Sequence, residues 1–131
     1  MKPIFIEPTL AKEGADCTIA CLAMWAGRGY SEVLPLCPTG AHVKGMYVKD
    51  IVAVAEKMGV FFKRTRRFNI QEDDGILTLI PLPPNKIQHV VILVNGTVMD
   101  PYNGRWWLDV DAFMSERRYR PSELLIDKGD A

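Results

Sequence analysis

The chain has 131 residues, of which 48% are hydrophobic and 24% charged, and its 16 basic residues balance 16 acidic ones. This length and composition predict one globular domain over residues 1–131, large enough to bury a core without a metal or a disulfide. The zero formal charge argues against a nucleic-acid partner. No apolar run approaches the length of a membrane span, so no membrane association is expected.

The start of the chain and its cysteines predict a cytoplasmic protein. The first residues, MKPIFIEPTLAKEG, include two prolines and a glutamate and lack the apolar run of a signal peptide. Three cysteines are an odd number, which favours free thiols over a disulfide framework. These features leave the oligomeric state open.

The first half of the chain is predicted to be helical. After an extended segment over residues 1–13, Asp16 is a natural helix N-cap or first-turn residue, and CTIACLAMWAG repeats apolar residues at helical spacing until Gly27 and Gly29 end the helix. A turn with a short helical piece, interrupted by prolines, follows in YSEVLPLCPTG. The segment GMYVKDIVAVAEKMG predicts an amphipathic helix that ends at Gly59.

The second half is predicted to form an antiparallel sheet. VFFKRTRRF and ILTLIPLPP have the character of strands, separated by the loop NIQEDDG. Asn95-Gly96 is a strong signal for a two-residue hairpin turn between HVVILV and TVMDP. A strand or turn at the paired tryptophans and a short helix in DVDAFMSERRY come next, while the tail SELLIDKGDA receives no assignment beyond a frayed, charged end. Helices followed by strands predict an α+β fold.

Three residues of catalytic type are predicted to meet. Cys17 begins the first helix, His89 opens one strand of the hairpin, and Asp100 ends the other. Because the turn at 95–96 makes the strands antiparallel, residue 89 pairs near residue 102, which puts His89 within side-chain reach of Asp100.

These residue types suit nucleophilic catalysis by a thiol. A helix N-terminus and a nearby imidazolium both stabilise a thiolate. A histidine then donates a proton to the leaving group, and a carboxylate fixes the orientation of the imidazole. Backbone N–H groups of the first helical turn, including that of Cys17, can hold an oxyanion.

The same segments resemble the C39 peptidases, papain-like cysteine proteases best known as N-terminal domains of bacteriocin-exporting ABC transporters. DCTIACLAMWAG is similar to the nucleophile helix of that family, GMYVKDIVAVAEKMGV to its second conserved helix, and HVVILVNGTVMDPYNG to its histidine strand, turn and Asp-Pro-x-x-Gly segment. The resemblance covers most of residues 13–113. It implies a papain-like α+β fold, with an N-terminal nucleophile helix packed on a small antiparallel sheet.

The resemblance also implies an activity and the roles of its residues. Cys17 would be the nucleophile, His89 the base and acid, and Asp100 the group that orients His89. The implied function is that of a cysteine peptidase, which hydrolyses a peptide or isopeptide bond in a peptide or protein substrate and needs no cofactor.

The chain departs from the family's pattern beside the nucleophile. The family carries a glutamine six residues before the cysteine, whose amide completes the oxyanion hole, and this chain has Ala11 there, followed by Lys12 and Glu13. Thr18 stands where the family has a small glycine. Either Lys12 or a backbone amide replaces the glutamine, or the enzyme is slow, or the fold serves binding.

Two other functions remain open on the same residues. One is a papain-like binding module with little or no turnover that recognises a peptide or a host protein. The other is a deamidase or transferase that uses the same three side chains. For substrate binding, we predict Met46 and Tyr47 at the start of the amphipathic helix, and Trp106 as the outward-facing tryptophan of its pair.

Two further clusters have residue types that binding sites use. Cys17, Cys21, Cys37 and His42 have spacings that a zinc site can use, but Cys21 lies on an apolar helical face, so no metal is predicted. A second cluster is basic and is typical of a solvated edge strand guarded against aggregation. A groove for an acidic peptide or a nucleotide is its alternative interpretation. The basic residues are Lys63, Arg64, Arg66 and Arg67.

Overall fold

A computed structural model describes residues 11, 15–86 and 88–129. The helices are α1 (Cys17–Ala26), α2 (Tyr30–Val33), α3 (Ala41–Lys44), α4 (Val48–Lys57) and α5 (Val110–Arg117), with a 3₁₀ turn, Leu34–Leu36, after α2. The strands are β1 (Phe62–Thr65), β2 (Gly75–Pro81), β3 (His89–Val94), β4 (Thr97–Asp100), β5 (Arg105–Trp107) and β6 (Tyr119–Asp127). All strand pairs are antiparallel and form one open six-stranded sheet in the order β1-β6-β2-β3-β4-β5. The predicted α+β class is confirmed.

Helix α1 is enclosed by the rest of the protein. Every residue from Cys17 to Trp25 is buried, as expected of a helix that is apolar on all sides. The helix ends at Gly27, which adopts the left-handed conformation (φ 68°) and returns its N–H to carbonyls of the last turn. Helix α1 packs on β3, so the predicted helix and its predicted end are both confirmed.

The sheet carries a hydrophobic core on each face. On one face, α1 and α4 cover the sheet, and α4 contributes its apolar stripe of Ile51, Val54 and Ala55. On the other face, α5 covers the sheet through Phe113, whose ring meets Trp107 edge-on at 5.5 Å. The candidate site forms at the ends of strands in the sheet that separates these two cores.

The hairpin between β3 and β4 has the predicted turn and register. Asn95 and Gly96 both have positive φ, at 50° and 77°, as a two-residue turn of this kind requires. Val94 pairs with Thr97 across the turn. The register that brings residue 89 towards residue 100 is therefore present.

The tail forms a strand in the interior of the sheet. Strand β6 lies between β1 and β2, where sequence reasoning assigned no structure. Pro121 concealed this strand, because proline cannot donate to a ladder and normally argues against a central strand. The register shifts between Thr78 and Leu79, so that Ser122 becomes the extra residue of a bulge that accommodates the proline.

Some expectations fall outside the described residues or differ in extent. Of the predicted extended start, only Ala11 is described, and the predicted frayed end includes residues 130 and 131, which are not. Strand β1 is shorter than predicted, and the short helix α3 was not expected. None of the described helices combines the length and apolar character needed to cross a membrane.

Candidate active site

The three residues of catalytic type lie together at one end of the sheet. Cys17 is the first residue of α1, His89 the first of β3, and Asp100 the last of β4. All three are buried, with exposed fractions of 5%, 2% and 1%. The architecture therefore places a thiol, an imidazole and a carboxylate at neighbouring element ends.

His89 and Asp100 form the contact that the hairpin register predicts. Nε2 of His89 lies 2.8 Å from Oδ1 of Asp100, and the same oxygen accepts the Tyr102 N–H at 3.0 Å. Because an ionised carboxylate only accepts hydrogen bonds, Nε2 is the donor. The contact with Asp100 fixes which ring nitrogen remains for other chemistry, and that nitrogen is Nδ1.

Nδ1 of His89 is the ring nitrogen that remains for Cys17. This nitrogen is buried and, among the described residues, has no hydrogen-bond partner of acceptable geometry. Burial lowers the pKa of the imidazole, yet Cys17 interacts with the ring closely enough to help raise that pKa. The thiol therefore lies beside the imidazole without a well-aligned hydrogen bond to Nδ1. Such contacts are often loose in a free enzyme and tighten when substrate binds.

Two tyrosines hold the imidazole ring in place. The Tyr102 ring stacks on His89 with centroids 4.4 Å apart and planes 8° from parallel. The Tyr119 ring lies 5.7 Å away at 31°. Sequence reasoning missed both residues. The position of Tyr102 directly after Asp100-Pro101 was a usable signal, whereas Tyr119 belongs to the strand that was not predicted.

Electrostatics favour an imidazolium–carboxylate pair. Burial lowers the pKa of His89, but the hydrogen bond to Asp100 and the neighbouring Cys17 outweigh it and raise that pKa to about 9. Burial raises the pKa of Asp100, but hydrogen bonding and charge from His89, with the Tyr102 N–H, lower it overall. The charged contact between the two side chains contributes to both shifts.

The N-terminus of α1 is not capped by a side chain. Asp16 occupies the predicted N-cap position, but its side chain makes no capping hydrogen bond and instead accepts the Tyr30 hydroxyl. Asp16 therefore does not compete for the N–H groups of the first turn, which include that of Cys17. These groups point in the direction that stabilises negative charge at a helix N-terminus.

A cleft of about 770 Å³ opens beside Cys17 and His89. Met46 and Tyr47 line it, as predicted for substrate-binding residues, and Tyr47 is 76% exposed at its edge. Trp106 is not among the lining residues and packs half-buried against the core beneath α1. The cleft therefore gives no support to the predicted role of Trp106 in substrate binding.

The position of the missing glutamine lies close to the site. The N–H of Ala11 donates to the carbonyl of Pro101 at 2.8 Å, which ties residue 11 to the residue after Asp100. Lys12, named above as a possible substitute, lies outside the described residues, as does Glu13. Thr18 lines the cleft, and its buried hydroxyl has no hydrogen-bond partner among the residues that the structure describes.

The cysteines of the zinc alternative have other surroundings. Cys21 is buried inside α1, where its Sγ lies 3.5 Å from the carbonyl of Val90, and burial raises the pKa of its thiol. Cys37 is half-buried and bonds to the carbonyl of Val33 at 3.4 Å. Within residues 15–86 and 88–129, no three His, Cys, Asp or Glu side chains are grouped as metal ligands.

No protein-family model matches the sequence, and a search of the curated proteins finds no match. A function for this chain therefore rests on the geometry of the site.

Proposed function

We propose that the protein is a papain-like cysteine peptidase of the C39 type, in which Cys17, His89 and Asp100 hydrolyse a peptide or isopeptide bond of a peptide or protein substrate. One observation carries the proposal: His89 is bound to Asp100 through Nε2, keeps an Nδ1 that has no hydrogen-bond partner among the described residues, and interacts with a thiol at a helix N-terminus. An α+β fold with α1 packed on an antiparallel sheet is compatible with it. We expect the enzyme to work in the cytoplasm, where its three free cysteines stay reduced.

The acylation step uses the Cys17–His89 pair. The thiolate sulfur of Cys17 attacks the carbonyl carbon of the scissile bond, and the carbonyl oxygen takes up negative charge next to the first-turn N–H groups of α1. Nδ1 of the His89 imidazolium then donates its proton to the leaving amine as the carbon–nitrogen bond breaks. The products are a thioester on Cys17, a free amine and a neutral imidazole.

The deacylation step returns the site to its starting state. Nδ1 of His89 takes a proton from water, and the hydroxide attacks the thioester carbon. The carbon–sulfur bond breaks, which releases a carboxylic acid and restores the thiolate–imidazolium pair. Asp100 keeps its hydrogen bond to Nε2 throughout, so that the ring does not turn between the steps. No cofactor takes part in either step.

A binding module is the second candidate function, and Ala11 is the observation that favours it. The family's glutamine donates an amide to the oxyanion, and loss of one such donor typically lowers a rate by about 10²–10³. A domain that only binds a peptide or host protein has no need of that donor. Such a binding domain also has no need of a buried His89–Asp100 pair beside a thiol, which is why we prefer the peptidase.

The peptidase can be tested with a mixture of amine-blocked peptides from a cytosolic proteome. New N-termini are labelled and identified by mass spectrometry after incubation with the wild type, Cys17→Ala and Cys37→Ala. We expect cleavage by the wild type and by Cys37→Ala, whose thiol lies outside the triad, and none by Cys17→Ala. Conversion of glutamine to glutamate without new N-termini would instead identify a deamidase.

A second measurement needs no substrate. The rate of alkylation of Cys17 by iodoacetamide at pH 6 is compared in the wild type and in His89→Ala. A thiolate–imidazolium pair predicts that Cys17 reacts and that the variant reacts at least about tenfold more slowly. Equal rates in the two proteins, together with capture of peptides but no cleavage, would favour the binding module.

A further inference from the structure

We propose that the cleft selects a peptide with an acidic side chain, and that Arg64 and Arg66 bind its carboxylate. This inference rests on the proposed function, since it names the class of peptide that the same cleft receives. It also explains the basic cluster, which the catalytic machinery does not use.

The floor of the cleft is a polar continuation of an apolar sheet face. Side chains two residues apart on a strand share a face. Beneath α1, that face carries the buried side chains of Phe62, Ile76 and Leu125. Two residues away along the same strands it carries Arg64, Thr78 and Glu123, and these line the cleft. The change from apolar to charged residues occurs where the sheet leaves the core and becomes the cleft floor.

Arg64 is held in a fixed position and still has donors to offer. The buried carboxylate of Glu123 accepts Nε and Nη2 of Arg64 at 3.0 and 3.1 Å. Glu123 is fixed in turn, because the Thr78 hydroxyl bonds its backbone N–H and carbonyl, both at 3.0 Å. Among the described residues, Nη1 of Arg64 has no partner, and its side chain is 46% exposed. A guanidinium held on one edge presents its remaining N–H groups to a carboxylate on the other.

The other charged residues of the cleft also favour an acidic ligand. Its lining contains three cations, Lys44, Arg64 and Arg66, and two anions, Asp50 and Glu123, which leaves one positive charge apart from His89. Within the described chain, neither Lys44 nor Arg66 has a carboxylate partner. The charge of Glu123 is already neutralised by Arg64. Among the described residues that line the cleft, Asp50 is therefore the one remaining carboxylate that would repel an anionic ligand.

The members of the basic cluster do not all face the cleft. Arg64 and Arg66, two residues apart, line it, whereas Lys63 and Arg67 do not. Lys63 and Arg67 therefore fit the interpretation as a solvated edge strand, whereas Arg64 and Arg66 fit that of a groove for an acidic peptide. The chain therefore supplies its own control, with equal charges on the same short segment inside and outside the cleft.

The test uses pairs of acetylated hexapeptides of alanine and glycine that differ by one residue. Each pair carries glutamate or glutamine at the same position, the position is moved along the peptide, and an uncharged dye reports binding by fluorescence anisotropy. The protein is the full chain with Cys17→Ala, so that no peptide is consumed. At one position or more, we expect the glutamate peptide to bind about tenfold more tightly, as one charge-assisted contact implies.

Variants then assign the contact. Arg66→Gln is expected to remove most of the preference, as is the double variant Arg64→Gln with Glu123→Gln, which avoids a buried unpaired carboxylate. Lys63→Gln and Arg67→Gln, with the same loss of charge outside the cleft, should retain it, and added salt should weaken it.

The outcomes separate this inference from the proposed function. Equal binding of the glutamate and glutamine peptides overturns the inference, and so does a preference that survives both cleft variants. Cys17-dependent cleavage without any preference leaves the peptidase standing and removes the acidic specificity. A preference that depends on Arg66, without cleavage of any peptide, supports the inference and refutes the peptidase.

Discussion

Replacing Asp100 by asparagine should reverse the pH dependence of stability near neutral pH. In the folded protein, burial lowers the pKa of His89, but Asp100 and Cys17 together raise it from an ordinary value of 6.5 to about 9. Folding therefore favours the imidazolium. Its contribution to the free energy of unfolding is fully present below about pH 6.5 and is lost as the pH rises through about 9.

The size of this contribution follows from the same two values. An increase in the pKa from 6.5 to about 9 corresponds to about 3 kcal/mol. His89 is only 2% exposed, so solvent screening reduces the figure little. Part of the increase in the pKa of His89 comes from Cys17. We therefore place Cys17→Ala in every protein compared, and expect a loss of between about 1 and 3 kcal/mol from pH 6.5 to 9.

Asp100 itself makes a second pH-dependent contribution to stability, at acid pH. Its pKa is lowered from the ordinary value of 3.8, so its contribution is present above that value and is lost as the pH falls through the lowered one. In Asp100→Asn both pH-dependent contributions disappear. Burial, which lowers the pKa of His89, is then unopposed by a charge, and stability should rise as the pH rises through neutrality.

The assay is urea-induced unfolding at a series of pH values, followed by tryptophan fluorescence. His42→Gln is the matched control, because it removes the other of the two histidines and should retain the loss of stability from about pH 6.5 to 9 that the His89–Asp100 contact produces. An NMR titration in the His42→Gln background then follows the His89 resonance alone. An unchanged pH profile in Asp100→Asn, or a His89 resonance that titrates at or below 6.5, would refute the imidazolium–carboxylate pair.

Three further changes test the fold and the site. Gly75→Ala should destabilise the protein by more than about 2 kcal/mol in urea, because the new Cβ would lie 2.1 Å from the carbonyl oxygen of Leu125. Gly29→Ala, where the nearest atom lies at 3.4 Å, is the control, and equal stability of the two variants would contradict this packing. Thr18→Val should raise the free energy of unfolding by about 1 kcal/mol, since it removes a buried hydroxyl that has no partner in the described part of the chain; a lower value would mean that the hydroxyl is satisfied in solution. Ala11→Gln should raise kcat of Cys17-dependent cleavage, and an unchanged kcat would show that the oxyanion hole lacks nothing at this position.

The sequence predicts best where the signal is local. Gly27 ends α1 because a left-handed residue is needed there, and the turn at 95–96 sets the hairpin register because both of its residues must have positive φ. From that register alone, His89 and Asp100 were expected to touch. Their hydrogen bond at 2.8 Å needed no knowledge of the rest of the sheet.

Where the sequence fails, distant parts of the chain decide the structure. Strand β6 contains Pro121, and only the bulge opposite Thr78 makes a proline compatible with the interior of a sheet. Missing β6 also meant missing Tyr119 beside the imidazole, and Glu123 beneath Arg64. The alternation of side chains along a strand correctly predicted that Trp107 is more buried than Trp106. It could not predict where the cleft lies, so the substrate-binding role of Trp106 gained no support.

The site depends on both faces of the sheet. Cys17 comes from α1, on one face, while His89 shares its strand parity with Val91, which belongs to the core on the other. Thiol and imidazole therefore meet at the end of the sheet, where neither core separates them. A slip of one residue in the hairpin would turn His89 to the opposite face and remove it from Asp100 and Tyr119 together. For this reason the turn at 95–96, which contacts none of the three candidate catalytic residues, is as necessary to the arrangement as the residues themselves.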